Sequence, residues 1–235
     1  WQADQPVGRI VAAVNKRLIE REGRSVGLMG FFECIHNHGI AGALLDAATH
    51  WLQQQGMTIA RGPIDLSTHN NCCFLADGFD SDPMLMMPYS PRYYLEAMAA
   101  NGWYKAKDAY AYDLPLDKPL PDSFERGYKI AQRAGITFRT IQTKGDKFEQ
   151  DCRHIYELFT TAFSHNWSSS ARTEAEFLAD ARELQTLVDT DIFVIAEDPK
   201  KDSDNKRVVF FMALPDYNIA LKHVKGKLYW LSILK

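Results

Sequence analysis

The sequence predicts a mixed α/β fold, and three observations carry that expectation. Residues 25–63 read as strand, helix, strand. Residues 136–214 read as strand, helix, helix, strand, strand. A proline-bearing stretch separates the two halves.

In chain order, residues 7–17 are apolar enough for an opening strand. They lead into a polar turn at 20–24 and should pair antiparallel with 26–35. Residues 25–35 form an almost unbroken apolar run, as in a strand covered on both faces. Between 39 and 55, Ile40, Leu44, Ala48, Trp51 and Leu52 fall on one helical face, and Gly56 stops the helix. Residues 58–63 begin a second strand, parallel to the first because a helix of this length joins them. Ser67, Thr68 and Asn70 are candidate caps for a short helix ending near Gly78. Residues 91–101 are helical with Gly102 as stop. Residues 103–114 alternate as a strand, with Tyr104, Tyr110 and Tyr112 on one face.

Pro115, Pro119 and Pro121 make 113–123 a stiff, extended linker. A short helix over 124–134 and a β-branched strand over 136–142 come next. Residues 146–163 form a long amphipathic helix on Phe148, Cys152, Ile155, Phe159 and Phe163. A second helix, 173–187, opens on the capping box of Thr173 and Glu176. Residues 192–196 and 208–214 make a hairpin around the polar loop 198–206. The expected organisation is a first domain over 1–114, a linker and short helix over 115–135, and a second domain over 136–235.

The 235 residues are 46% hydrophobic and 24% charged with a net charge of -3, values ordinary for a soluble globular chain. No basic stripe marks a nucleic-acid protein. No apolar run approaches the roughly 18 residues of a membrane span. The chain opens at Trp1 without Met, so a missing leader peptide says little. The four cysteines include the neighbours Cys72 and Cys73 and no C-x-x-C, which favours a reducing, cytoplasmic setting. His36, His38, His69, Cys72 and Cys73 fit no standard zinc spacing, so no metal is expected. Residues 222–235 hold four lysines, one histidine and no acid, with Tyr229, Trp230 and Leu231. This mixture suits either peripheral contact with lipid headgroups or a solvated loop.

Glu33 is the one charged residue inside the apolar strand. A carboxylate buried there without a partner would cost several kcal/mol or take up a proton. Two readings stay open. Glu33 lies at the strand end, hydrogen-bonded or wet, or it is a polar group retained in a cleft for chemistry.

The element order resembles that of the GNAT superfamily of acyl-CoA-dependent N-acyltransferases. The wording is similar to a bacterial group with two tandem folds: Phe31, Phe32 and Glu33; Arg61, Gly62 and Pro63; Ser67 with Asn70; Gly78, Phe79 and Asp80; Met86, Met87, Pro88 and Tyr89 with Tyr93 and Tyr94. The resemblance covers 6–114 and 136–214. It implies two incomplete GNAT-like copies, the closing part of one and the opening part of another. It implies acetyl-CoA or a longer acyl-CoA as co-substrate and a small-molecule or lipid-like amine as acceptor. The pantetheine arm would lie against Phe32, Cys34 and Ile35. The pyrophosphate would meet the turn of His36, Gly39, Ala41 and Gly42 at a helix N-terminus. Asn70 and Asn71 would face the thioester, Glu33 would act as general base, and Tyr89 would protonate the leaving thiolate. His36 stands where the superfamily signature has Gln or Arg, which weakens phosphate attraction. The other reading is a non-catalytic, degenerate module that serves as a binding surface or scaffold. Cys72 and Cys73 as acyl-carrying nucleophiles lack a visible activating group in the sequence.

Overall fold

Apolar spacing of about 3.6 and 2 residues organises both halves of the chain. The computed structural model describes residues 1–84, 86–201 and 206–224. It holds β1 (Gly8–Ala13), α1 (Lys16–Glu22), β2 (Val26–Cys34), α2 (His38–Gln54), β3 (Ile59–Arg61) and α3 (Tyr93–Ala100). Then come α4 (Asp122–Ala134), β4 (Thr137–Thr140), α5 (Gly145–Phe163), α6 (Glu174–Leu184), β5 (Phe193–Glu197), β6 (Arg207–Met212) and α7 (Tyr217–Val224). The fold is mixed α/β and divides into two units. One comprises Trp1–Ala109, Asn166–Ala171 and Asp216–Lys235, and the other Tyr110–His165 and Arg172–Pro215.

In the first unit β2 is the central strand of a three-stranded sheet ordered β1-β2-β3. It runs antiparallel to β1 and parallel to β3, as the sequence leads one to expect. Its first half, Val26 to Gly30, is buried throughout. Gly27 lies beneath Leu52 of α2, where a Cβ would overlap that side chain. Val26 and Leu28 pack with Leu18 and Ile64. From Phe31 onward exposure alternates: Phe31 and Glu33 are exposed, Phe32 and Cys34 buried. Phe32 and Cys34 share a core with Ala41, Leu45, Tyr94, Ala97 and Met98.

Four expectations about this unit need correction. The opening strand stops at Ala13, because the Asn15 side chain accepts the Leu18 N–H and starts α1, which closes on Gly23 at φ 63°. Among the described residues no helix forms between β3 and α3. Leu66 and Cys73 sit at positive φ, the Ser67 hydroxyl accepts the His69 N–H, and the Asn70 amide donates to the Asp65 carbonyl, so the caps close local turns. Residues 103–114 form no strand, and Tyr104, Tyr110 and Tyr112 stand exposed, with no neighbouring strand among the described residues to pair with. The basic tail expected from residue 222 onward begins inside a helix, since Tyr217–Val224 form α7. Asp216 caps it, and Lys222 reaches Asp82 at 2.6 Å. Residues 225–235, and with them most of the candidate membrane-contact segment, lie outside the described residues. Among the described residues no helix is long and apolar enough to cross a membrane.

In the second unit β4, β5 and β6 form an antiparallel sheet with β5 central. Phe148, Cys152 and Ile155 of α5 pack with Leu178 of α6 and with Phe193 and Ile195 of β5. The capping box of Thr173 and Glu176 is formed from both sides. One buried carboxylate, Asp151, ties α5 to the sheet. It accepts two bonds from the Arg139 guanidinium, at 2.8 and 2.6 Å, and the Gln142 N–H at 3.1 Å. Arg139 also donates to Glu197 at 2.8 Å. Burial pushes the Asp151 carboxyl up, and the Arg139 and Gln142 bonds outweigh it, leaving the pKa below its ordinary value. Glu197 shows the same balance, with Arg139 and Lys206 outweighing burial.

Both carboxylates are therefore more acidic folded than unfolded. Their stabilisation is complete above the ordinary carboxylate range and is lost as pH falls through it. Urea midpoints of this unit should stay level from pH 7 to about 5 and fall below about pH 4. Asp151→Asn should cost about 3 kcal/mol at pH 7, the scale for breaking a buried ion pair, and should flatten the acid limb. Equal acid limbs in variant and wild type would contradict the assignment.

Candidate functional site

The site predicted from the sequence centres on the outgoing half of β2, and local chemistry explains why the chain changes character there. β3 pairs with β2 only over Val26–Ile59, Gly27–Ala60 and Leu28–Arg61. Gly62 and Pro63 follow, and Pro has no N–H to extend a ladder. The Ile64 N–H then meets the Met29 carbonyl at 2.8 Å, and the Asp65 carboxylate accepts the Phe31 N–H at 2.6 Å. Gly30 lets this loop approach, since a Cβ there would overlap the Ile64 carbonyl. On the other edge the register passes from Arg9–Glu33 to Val11–Gly30, so Phe31 and Phe32 oppose Ile10 alone. Phe31 takes a positive φ of 49° in this bulge. The bulge exchanges which residues direct their backbone groups toward the β3 side.

Past the bulge, side chains of α3 replace a strand as the neighbour of β2. The Cys34 N–H donates to the Tyr94 hydroxyl at 3.2 Å, and the Tyr93 hydroxyl donates to the Cys34 carbonyl at 2.8 Å. Phe32, Phe74 and Tyr94 form an edge-to-face cluster with centroids 5.1 to 5.9 Å apart. The parallel ladder thus ends at Leu28 and Arg61, and Ile64 and Asp65 follow the same edge only as far as Met29 and Phe31. The edge that would meet a pantetheine arm is occupied at Cys34 by the chain's own tyrosines.

Glu33 lies opposite Arg9, with its carboxylate 2.8 Å from the guanidinium and both side chains about three-fifths exposed, at 63% and 62%. The strand-end, solvated reading of Glu33 describes its surroundings, and it stands on the open face of β2. At the start of α2 the Asn37 side chain accepts the Gly39 and Ile40 N–H groups at 2.9 and 3.1 Å, so two helix-end donors are already satisfied. Ala41 is buried, and Gly42 lies beneath Asn101, the C-cap of α3. Ile35 is exposed and donates its N–H to the Val7 carbonyl. His36 stacks on Tyr93, ring centroids 4.4 Å apart and planes 17° apart.

The remaining candidates separate into two groups. Asn70 and Asn71 join this end of β2 only through Asp65, to whose backbone both are hydrogen-bonded. Tyr89 is 59% exposed, and no hydrogen bond among the described residues joins it to Glu33. His69 is also apart, its Nε2 3.1 Å from the Ser170 carbonyl. A hydrogen bond from Cys73 brings the Cys72 thiol down to about 7, while the Cys73 thiol is pushed up by the same bond. The sequence alone did not reveal this thiol–thiol contact. Burial pushes the Cys34 thiol up, away from thiolate character.

Sequence reasoning named Tyr93 and Tyr94 without placing them against β2, and it missed Asp65 and Glu96 as parts of this region. Glu96 follows Tyr93 by three positions, the spacing of helical neighbours. Its carboxylate and the ring nitrogens of His36 and His38 lie within 4.8 Å of one another.

The chain is 30% identical over 241 residues to Protein YghO of Escherichia coli (strain K12), a match covering 99% of this chain. It is 30% identical over 232 residues to Bacterial ceramide synthase of Caulobacter vibrioides (strain NA1000 / CB15N), covering 97% of this chain. It spans about three-fifths of the length of these curated relatives, 59% in each case. No protein-family profile and no solved structure matches the chain.

Tyr94→Phe removes the acceptor of the buried Cys34 N–H. It should cost about 1–3 kcal/mol in urea unfolding, the penalty for an unsatisfied buried donor. A loss below about 0.5 kcal/mol would show that another group satisfies that N–H.

Proposed function

We propose that this chain is part of an acyltransferase that moves an acyl group from acyl-CoA to an amine, on a GNAT-like fold. The observation that supports it most is the early end of the β2–β3 ladder at Leu28 and Arg61, which leaves the β3-side edge of the outgoing half of β2 without a strand neighbour, while β1 pairs with the other edge. The similarity to a protein named Bacterial ceramide synthase supports the reaction class, since ceramide is a lipid amide. In this reading the thioester arm displaces the tyrosine hydroxyls from Cys34 and bonds to the strand edge. The amine attacks the thioester carbonyl, the C–S bond breaks and an amide forms. Glu33, held by Arg9 on the open face, takes the ammonium proton. Tyr89, on its exposed loop, is the proposed proton source for the departing thiolate. The acceptor class is a small-molecule or lipid-like amine, and the setting is cytoplasmic.

A second reading is a non-catalytic copy that shapes a binding surface. The Asn37 cap favours it, because the Gly39 and Ile40 N–H groups are already satisfied and a pyrophosphate would have to displace the cap.

Calorimetry of the full-length protein with acetyl-CoA and longer acyl-CoAs separates the two. The acyltransferase reading expects binding, and a ligand at 100 times its Kd should raise stability by about 2.7 kcal/mol. Glu33→Gln should then keep thioester binding and lower kcat on the order of 100- to 10,000-fold. Absence of binding to any acyl-CoA removes the enzyme reading. Binding with unchanged turnover in Glu33→Gln removes Glu33 as the base.

A further inference from the structure

His36 and His38 flank Asn37, the N-cap of α2, and Glu96 lies in the first turn of α3. Their donor atoms lie within 4.8 Å of one another. We propose that these three side chains bind one divalent transition-metal ion. Imidazole and carboxylate together suit Zn²⁺, Co²⁺ or Ni²⁺. Bonds of about 2.0–2.1 Å require donors about 3.3 Å apart, so the triad must close by at most about 1.5 Å. All three side chains are exposed, and rotation about their χ angles supplies that movement without disturbing the core.

The supporting backbone is fixed. The His36 ring stacks on Tyr93, whose hydroxyl is anchored on the Cys34 carbonyl. The His38 carbonyl accepts from the Asn101 side chain at 3.2 Å. Helices α2 and α3 meet in one core through Ala41, Leu45, Tyr94 and Ala97. Ligands carried on packed helix starts are held more precisely than ligands on a free loop.

Charge decides between a cation and an anion at this place. The positive end of α2 favours an anion. Its Gly39 and Ile40 N–H groups, however, are already satisfied by Asn37. Glu96 adds a full negative charge, and among the described residues no Lys or Arg pairs with it. A phosphate would meet that carboxylate directly, whereas a cation is attracted to it. Three protein ligands leave open positions for water or another ligand, as in reactive rather than purely structural sites.

The site does not depend on the acyl-CoA reading and is tested without thioester. The 235-residue chain, stripped with a chelator and desalted, is titrated with Co²⁺ and followed by d–d absorption, and with Zn²⁺ by calorimetry. One equivalent should bind. His36→Ala, His38→Ala and Glu96→Gln should each weaken binding by more than the roughly 10-fold that loss of an outer partner costs. His50→Ala, in the middle of α2, should leave it unchanged. No uptake, uptake that survives all three substitutions, or a strong thiolate-to-cobalt band assigning the ion to Cys72 and Cys73 would each overturn the proposal. If a histidine variant misfolds, Glu96→Gln decides the matter, since it keeps side-chain volume on an exposed helical turn.

Discussion

The first unit depends on one hydrogen bond, from the Phe31 N–H to the Asp65 carboxylate at 2.6 Å. It stabilises a phenylalanine in left-handed backbone, a conformation that costs of order 1–3 kcal/mol elsewhere. By holding that residue it fixes the bulge and divides β2 into two strands of different kind. Before the bulge the strand is buried throughout, with β3 along one edge from Val26 to Leu28 and β1 along the other from Leu28 onward. After it, one face carries Glu33 and Arg9 in solvent, and one edge takes tyrosine hydroxyls in place of a ladder. The exposed Arg9–Glu33 pair contributes little to stability, about 0–1 kcal/mol at most, so it stands on this face without being required by the fold.

Much of this architecture was legible in residue spacing. The apolar run of β2, the period of α2 and the capping box of Thr173 and Glu176 led to elements found within a few residues of their expected ends. These are places where local preference and burial agree. The errors occurred where they disagree. Asn15 reads as a strand end until its side chain is seen capping α1. Ser67 and Asn70 are competent caps whose bonds close turns on Asp65 and His69 instead. Tyr104, Tyr110 and Tyr112 alternate like a strand but have no strand beside them, and a ladder needs a neighbour.

The candidate site was legible in place more than in contacts. Phe32, Cys34, His36, Gly39, Ala41 and Gly42 do gather where β2 passes into α2. What covers them comes from α3 some sixty residues along the chain, as the Cys34–Tyr94 bond illustrates, and no local pattern encodes such pairings. Glu33 illustrates the same limit. An acid in an apolar run reads as buried, yet the bulge turns it to the open face. The sheet beneath therefore does not need Glu33, which leaves the residue available for other use.

Amide hydrogen exchange along β2, with and without saturating acetyl-CoA, tests the account most directly. Val26 to Met29, buried and laddered to β3 or β1, should be strongly protected in both states. If a thioester arm replaces the tyrosine hydroxyls, exchange at Phe32 and Cys34 should slow on binding while the first half is unchanged. Unchanged exchange at Phe32 and Cys34 under saturation, or equal protection along the whole strand without ligand, would contradict it.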